Sequence, residues 1–250
     1  MSALFISDLH LSPDRPALTR LVTDFLSEQE DLASLYILGD IFNTWLGDDL
    51  VLPEYQPFID ALIELRQQGT EIYLMVGNRD FMLGQDFAAS VGADLLPDPV
   101  VHHFDNQPVL LLHGDSLCSD DHSYQRYRKI VRNRFLQWCF LHLPLTFRQK
   151  ISDKIKAKSR AQKQHKTTEI MDVNQQTVKQ VMAEHQVNVM IHGHTHRPAI
   201  HDLPLQGQTG RRIVLGDWHD EPSFLTYQDG VFSLVDPRLE SGRQQLNLSV

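Results

Sequence analysis

Cysteine is nearly absent: Cys118 and Cys139 are the two in 250 residues. Two thiols cannot build a disulfide framework, so nothing in the composition calls for an oxidising compartment. No apolar run approaches the roughly 18 residues that would mark a membrane span. The opening residues, Met1-Ser2-Ala3-Leu4-Phe5-Ile6, lack a basic stretch and a cleavage site. No signal peptide is therefore expected, and a cytoplasmic location follows by elimination. Glycine and proline, at 13 and 12, are not enriched, which excludes collagen-like and low-complexity chains. Internal repeats are absent. What remains is a chain with 42% hydrophobic and 22% charged residues, ordinary for a soluble globular protein and long enough for one large domain or two small ones.

Charge is unevenly placed. The formal net charge is -9, yet residues 122–166 hold 13 Lys and Arg against a single acid, Asp153. An acidic body with one strongly basic segment points to a local site for anions, whether lipid headgroups, nucleotides or nucleic acid. A merely solvated helical face is the plainer reading of a short charge run, but this run is long.

Short apolar runs at 3–6, 35–38, 72–76, 109–112 and 187–191 read as strands covered on both faces, and helical spacing marks 18–26 and 58–65. Strand–helix alternation predicts an α/β layered fold. The basic segment interrupts it. Tyr124, Tyr127, Val131, Phe135 and Trp138 fall on one helical face, expected buried, in a helix that Pro144 ends. A second basic helix is predicted from about 147 to 163. The segment reads as a helical insertion, 122–166, in a core formed by 1–121 and 167–237. Asp172, with Gln175 three residues on, is a candidate capping box. Runs at 212–215, 223–227 and 231–235 close the sheet pattern, the last two joined by Asp229-Gly230, a hairpin signal. Residues 238–250 read as a loose tail.

The chemistry follows the strands. After the five apolar runs come Asp8-Leu9-His10, Gly39-Asp40, Gly77-Asn78-Arg79-Asp80, His113-Gly114-Asp115 and Gly193-His194-Thr195-His196. Ligands of open α/β sheets bind outside the carboxyl ends of strands, so seven oxygen and nitrogen donors are expected to converge. Each fragment alone is weak: Asp8 could cap a helix, and His113 could be a hydrogen-bonded core histidine. Asp217 and the Asp48-Asp49 pair also follow apolar runs and are read as background. Five hits in chain order are another matter. Imidazoles and carboxylates without thiolate suit Mn, Fe, Zn or Ni. Seven donors exceed one four-coordinate ion but suit two metals sharing a carboxylate, the usual device for phosphoester hydrolysis.

The set Asp8, His10, Asp40, Asn78, His113, His194 and His196 resembles the motifs of the calcineurin-like metallophosphoesterases over about residues 1–220. The resemblance implies a four-layer α-β-β-α sandwich. It implies one metal on Asp8, His10 and His196, a second on Asn78, His113 and His194, and Asp40 as the bridge. One position departs: Arg79 stands where that superfamily usually has His. Arginine cannot act as a general acid at neutral pH but can grip phosphate bidentately. A leaving group that is itself a phosphate needs little protonation, so Arg79 favours pyrophosphate cleavage.

Arg79, together with Asp8-Leu9-His10-Leu11, Leu117-Cys118-Ser119-Asp120-Asp121 and Ile170-Met171-Asp172-Val173-Asn174, is similar to the UDP-2,3-diacylglucosamine pyrophosphatases of lipid A biosynthesis. That resemblance implies water attack on the α-phosphorus, giving UMP and 2,3-diacylglucosamine 1-phosphate, with two divalent metals, Mn2+ foremost. It makes Asp40, Asn78, Arg79 and His194 the catalytic set and places Asn78, Arg79, Asp121, Ser159, Lys163, Lys166 and His194 against substrate. Lys163 stands where that family has Asn. It makes the insertion a cap over the acyl chains. The residues agree: Trp138-Cys139-Phe140-Leu141, Leu143, Leu145 and Phe147 give an apolar centre with basic flanks, which suits an acyl cleft or a membrane surface. The expected partners are the UDP-linked glycolipid and the anionic cytoplasmic face of the inner membrane, with no nucleic acid and no obligate protein partner. The alternatives are a phosphoesterase of soluble nucleotides or nucleic acid, and a silent scaffold. Complete donor motifs argue against the scaffold. Stacking of nucleic-acid bases would need exposed aromatics in the insertion.

Overall fold

A computed structural model of the chain describes residues 2–163, 172–205 and 207–248. Its elements in order are β1 (Ser2–Ile6), α1 (Pro16–Ser27), β2 (Ser34–Leu38), α2 (Gln56–Gln67), β3 (Glu71–Met75), α3 (Gln85–Ser90), β4 (Asp94–Leu96), β5 (Val100–Phe104), β6 (Gln107–Leu112), α4 (His122–Val131), α5 (Arg134–Leu141), α6 (Leu145–Lys163), α7 (Gln175–Glu184), β7 (Val189–His192), β8 (Ala199–Leu205), β9 (Gln208–Val214), β10 (Phe224–Gln228), β11 (Val231–Val235) and β12 (Arg243–Asn247).

The strands form two sheets, ordered β12-β11-β10-β1-β2-β3-β4 and β5-β6-β7-β9-β8. Alternation along β1 explains the layering. Ala3 and Phe5 point between the sheets, where Phe5 stacks on Tyr36 at 4.8 Å and meets Val109, Leu111 and Ile191 in one core. Leu4 and Ile6 point the other way, under Leu18, Val22 and Leu26 of α1 and Phe58 and Leu62 of α2. On the outer face of the second sheet, Val178 and Met182 of α7 cover Leu110, Leu112 and Met190. The result is the four-layer α-β-β-α sandwich. Both faces of the central strands are covered, which is why they read as unbroken apolar runs.

Strands β1, β2 and β3 run parallel to one another, as do β6, β7 and β9. Their carboxyl ends meet at one edge of the sandwich, where the His194 amide donates to Asp8 Oδ2 at 2.8 Å and His113 Nδ1 donates to the Leu38 carbonyl at 2.9 Å.

Several expectations need correction. Residues 243–247 are no loose tail: they pair antiparallel with β11 along their whole length. The cap of α7 is Asn174, whose side chain accepts from the amides of Gln176 and Thr177; Asp172 instead pairs with Arg197. The basic segment forms three helices rather than two. Asn133 caps a new helix by accepting from Phe135 and Leu136, so the predicted face is cut at that point. Tyr124 and Tyr127 stay half-buried on α4. Phe135 and Trp138, expected buried, are 69% and 56% exposed and lie stacked at 6.1 Å.

The helices are tied to the body by charge. Arg128 donates to Asp115 at 2.9 Å and to Asp98 at 3.1 Å, and Arg132 donates to the Gly77 carbonyl at 3.1 Å. Arg148, 4% exposed, anchors α6 on Asp49 and on the Leu46 carbonyl at 2.8 Å. No helix among the described residues is long and apolar enough to cross a membrane.

Candidate metal centre and substrate cleft

The seven donors stand together on loops that leave β1, β2, β3, β6 and β7. Five of them, Asp8, His10, Asp40, His194 and His196, have φ between 48° and 67°. L-residues rarely adopt that region, and its use at a cluster of non-glycine residues marks a functional site. Glycine enters where the loops nearly touch: a Cβ on Gly77 would stand 2.1 Å from Asp40 Oδ1, and one on Gly193 2.2 Å from Asp8 Oδ2.

The side chains face one another. Asp8 Oδ1 lies 3.3 Å from His196 Nε2 and 3.9 Å from His10 Nε2, and those two imidazole nitrogens are 3.3 Å apart. Asp40 has a histidine on each side: Oδ2 is 3.8 Å from His10 Nδ1 and Oδ1 is 3.7 Å from His113 Nε2. Asn78 Oδ1 is 3.1 Å from His113 Nε2, and the His194 ring is 5.1 Å from that of His113. Two triads, Asp8–His10–His196 and Asp8–Asp40–His113, each bring one atom per residue within 4.8 Å.

Electrostatics fit the geometry. Burial holds His10 down to about 4 despite Asp8, and burial with the neighbouring His113 holds His194 down to about 3. Both rings are therefore neutral at pH 7 and offer lone pairs. Burial pushes Asp40 up to about 7. Burial would lower His113, but Asp40 and Asp8 outweigh it and raise it to about 9. The negative field that keeps a proton on His113 is the field that would hold a cation, which would displace that proton. Asp8 Oδ1 and His10 Nδ1 are buried without any hydrogen bond, a costly state that coordination would relieve. The donor set fits divalent metal ions.

Around this floor opens a cleft of about 830 Å³. Arg79 and Asp121 line it beside the donors; Ile130, Leu136, Phe140 and Ile155 line it under the helices. Among the described residues no carboxylate lies within ion-pair distance of Arg79, so its guanidinium is available to an anion. Asp121 lines the cleft but also caps α4, accepting from the Tyr124 amide at 3.0 Å. Ser159 on α6 reaches the cleft. Lys163 ends α6 and its side chain lies outside the described residues, as does Lys166 entirely.

Two contributors were not picked out from the sequence. Asp80 accepts from the amides of Gly77 at 2.7 Å and Ile41 at 2.7 Å, locking the Asp40 and Asn78 loops together. Asp217, read as background, accepts from His196 Nδ1 at 2.9 Å. Its signal was the same as that of the other donors, a carboxylate directly after an apolar strand. Asp48, by contrast, does serve structure, accepting from Trp45 Nε1 and the amides of Gly84 and Phe87.

The calcineurin-like phosphoesterase model matches residues 1–198. A UDP-2,3-diacylglucosamine hydrolase of Pseudomonas fluorescens is 48% identical over 233 residues, 93% of each chain. The enzyme of that name from Aeromonas hydrophila is 47% identical over 231 residues, 92% of this chain and 96% of that one. Among solved structures, a phosphoesterase from E. coli superposes with a TM-score of 0.48 at 17% identity, covering 99% of this chain and 100% of that one. The chain therefore belongs to the calcineurin-like phosphoesterase family of hydrolases, in the same branch as relatives named UDP-2,3-diacylglucosamine hydrolase.

Proposed function

We propose that the protein hydrolyses the pyrophosphate bond of UDP-2,3-diacylglucosamine, releasing UMP and 2,3-diacylglucosamine 1-phosphate in lipid A biosynthesis. One observation carries this reading beyond family membership: the donor-lined floor and Arg79 open into the same cleft that Ile130, Leu136, Phe140 and Ile155 wall with hydrocarbon. A molecule that fills it needs a diphosphate at one end and acyl chains at the other.

Two divalent cations, Mn2+ foremost, held by Asp8, His10 and His196 and by Asn78, His113 and His194 with Asp40 between them, would supply an activated water and neutralise phosphoryl charge. The chain's own groups do the rest. His113 donates Nδ1–H to Leu38 and so turns Nε2 into the site. Arg79 grips the phosphoryl oxygens as charge builds on them, and Asp40 holds the Arg79 backbone by accepting its amide at 2.7 Å. The P–O bond to the departing sugar phosphate breaks as the bond from water to the α-phosphorus forms. A phosphate leaving group accepts the electron pair without a proton from the protein, which suits arginine at this position.

The core (1–121 and 167–237) carries the chemistry and the helices of 122–166 form the cap in this reading. Lys166, Lys163 and Ser159 on the cap and Asp121 at the end of the core segment are proposed substrate contacts. The cap also docks on the cytoplasmic face of the inner membrane. Its support is the placement of exposed large hydrophobics that do not line the cleft: Phe135, Trp138 and Leu141 on α5 and Leu145 and Phe147 on α6, with Phe147 57% exposed and Lys150 over its ring at 5.8 Å. Aromatics beside lysines suit the headgroup boundary.

The deciding experiment is UMP release from acylated and unacylated UDP-glucosamines, with metal removed and Mn2+ restored. The expected result is Mn2+-dependent turnover of the acylated compounds and little of the others. Equal turnover of both would overturn the lipid reading; turnover indifferent to chelator would overturn the metal reading.

A further inference from the structure

We propose that Asp217 and Arg238 are a positioning pair for the metal centre, acting through His196 on one of the two cation positions. This rests on the reading of His196 as a metal ligand. Both residues lie beyond residue 198, outside the part of the chain that the family model matches.

The geometry is a relay. His196 Nδ1–H donates to Asp217 Oδ2 at 2.9 Å. With that edge of the ring fixed, Nε2 is turned toward Asp8 Oδ1, 3.3 Å away, and His10 Nε2, also 3.3 Å away. A carboxylate behind an imidazole sets the tautomer, fixes the ring plane and raises the basicity of the coordinating nitrogen. The His196 side chain is 36% exposed, and of its ring neighbours Asp217, Asp8 and His10, Asp217 lies nearest.

Asp217 is itself held. Arg238 Nη1 donates to its Oδ1 at 2.6 Å and Nη2 to its backbone carbonyl at 3.0 Å. The other edge of the guanidinium is gripped by Asp236, at 2.8 Å from Nε and 2.6 Å from Nη2. The exposed His219 shares Asp217 Oδ2 at 2.8 Å and is the remaining charged-capable neighbour. Gly216 makes room: a Cβ there would stand 2.2 Å from Arg238 Nη2 and 2.4 Å from Asp236 Oδ2. Arg238 sits in the turn between β11 and β12, where the Gly242 amide bonds to Leu239 and the Asp236 amide to Gly242. The hairpin at the end of the chain thus reaches the metal floor through three side chains.

A merely structural ion pair would stabilise the fold and treat both cation positions alike. A positioning pair touches only the position built on His196 and leaves that of Asn78, His113 and His194. The test is titration of the metal-free full-length protein with Mn2+, followed by calorimetry and by electron paramagnetic resonance. Wild type should take up two equivalents. In Asp217→Asn one equivalent should bind about 10- to 100-fold more weakly, the usual loss for a partner behind a metal-bound histidine, and the other should be unchanged. Arg238→Gln should give a smaller loss at the same equivalent, and Arg238→Lys should recover part of it. Melting of the metal-free proteins should agree. A two-site titration unchanged in Asp217→Asn would overturn the proposal. So would parallel weakening of both equivalents with a lowered metal-free melting temperature. Failure of wild type to bind Mn2+ would overturn the metal reading itself, and the proposal with it.

Discussion

Arg148→Ser should loosen the first turns of α6 from the body without unfolding the sandwich. Arg148 carries the charge of a basic surface but is only 4% exposed. Its Nε donates to the Leu143 carbonyl at 2.9 Å, its Nη1 to the Leu46 carbonyl at 2.8 Å, and both nitrogens of the fork reach Asp49. A hydrogen bond from a charged donor is worth about 1.5–3 kcal/mol. The Asp49 share is discounted, because that carboxylate is 55% exposed and regains water when the arginine leaves. The two carbonyls dominate, and water reaches them partly once α6 lifts, so a loss of about 2–4 kcal/mol is expected. Since no described residue of α6 belongs to the three buried cores, the loss should fall on local opening. Amide exchange in residues 146–152 should accelerate about 30- to 1000-fold, while amides of β1 and β6 keep wild-type protection. Lys150→Ser, changing an exposed neighbour, should leave both alone. Because α6 walls the cleft, KM for the acylated substrate should rise in Arg148→Ser with kcat nearly kept. Wild-type exchange in α6, or faster exchange spread evenly over sandwich and cap, would refute the anchoring argument.

Asp40→Ala should lower both metal content and turnover, the latter by about 10²-fold or more, because one carboxylate serves both cations; elemental analysis reading two equivalents would contradict this. Arg79→Lys keeps the charge but loses the planar fork, so kcat should fall by about 10-fold or more with metal content unchanged. Replacing Lys150 and Lys154 by Ser should weaken binding to anionic vesicles by about 2 kcal/mol, or about 30-fold, and wild-type binding should itself weaken with salt. Salt-independent sedimentation with vesicles would remove the electrostatic part of membrane docking. Burial raises the hydroxyls of Tyr36 and Tyr55 to about 12. Above pH 10 the unfolded chain releases protons that the native state keeps, so stability should fall as pH rises from 10 toward 12, by up to about 1.4 kcal/mol per unit for each tyrosine. Denaturant melts of Tyr36→Phe and Tyr55→Phe should show a flatter slope in that window.

The central strands were legible because covering on both faces demands apolar residues throughout, as in β2 and β7, buried at every position. Strands at or near the sheet edges escaped. In β12 only Leu246 is buried, so Arg243, Gln244 and Gln245 gave a polar run that reads as a tail. β8 carries His201, Asp202 and Pro204 on an edge, where charge and proline are tolerated and even protective. The donors were legible as a set because each follows a strand. Asp217 follows one too, and like Asp48-Asp49 it read as a chance carboxylate after an apolar run. Asp80 was hidden differently: its work is to collect backbone amides, which leaves no pattern of spacing. In the basic segment, helical periodicity across Asn133 was real in the sequence and meaningless in space, since the cap there starts a new axis. The exposure of Phe135 and Trp138 follows from that break.

The strained loops explain why so much of the body is spent on one edge. Five donor residues at positive φ cost about 1–3 kcal/mol each and persist only if the surroundings over-determine them. The surroundings do. The amides of Asp8, His10 and Leu11 bond to the carbonyls of Gly39, Asp40 and Ile41, and the Asn43 amide returns to Leu11, extending the β1–β2 ladder through the very turns that are strained. Asp80 pins the next loop to this one by accepting from Ile41, Phe42 and Gly77. Asp8 Oδ2 ties across the sandwich to His194, and the Gly193 amide bonds to the His113 carbonyl. Leu9, Leu11, Ile41 and Phe42, interleaved with the donors, are fully buried under α1 and α2. Every donor loop is thus fastened on its apolar residues and backbone, leaving Asp8 Oδ1 and His10 Nδ1 to face inward without a hydrogen bond. That is the arrangement the proposed metal centre requires: the folding energy of the core sets the donors in place, so cations held there would meet a site already formed.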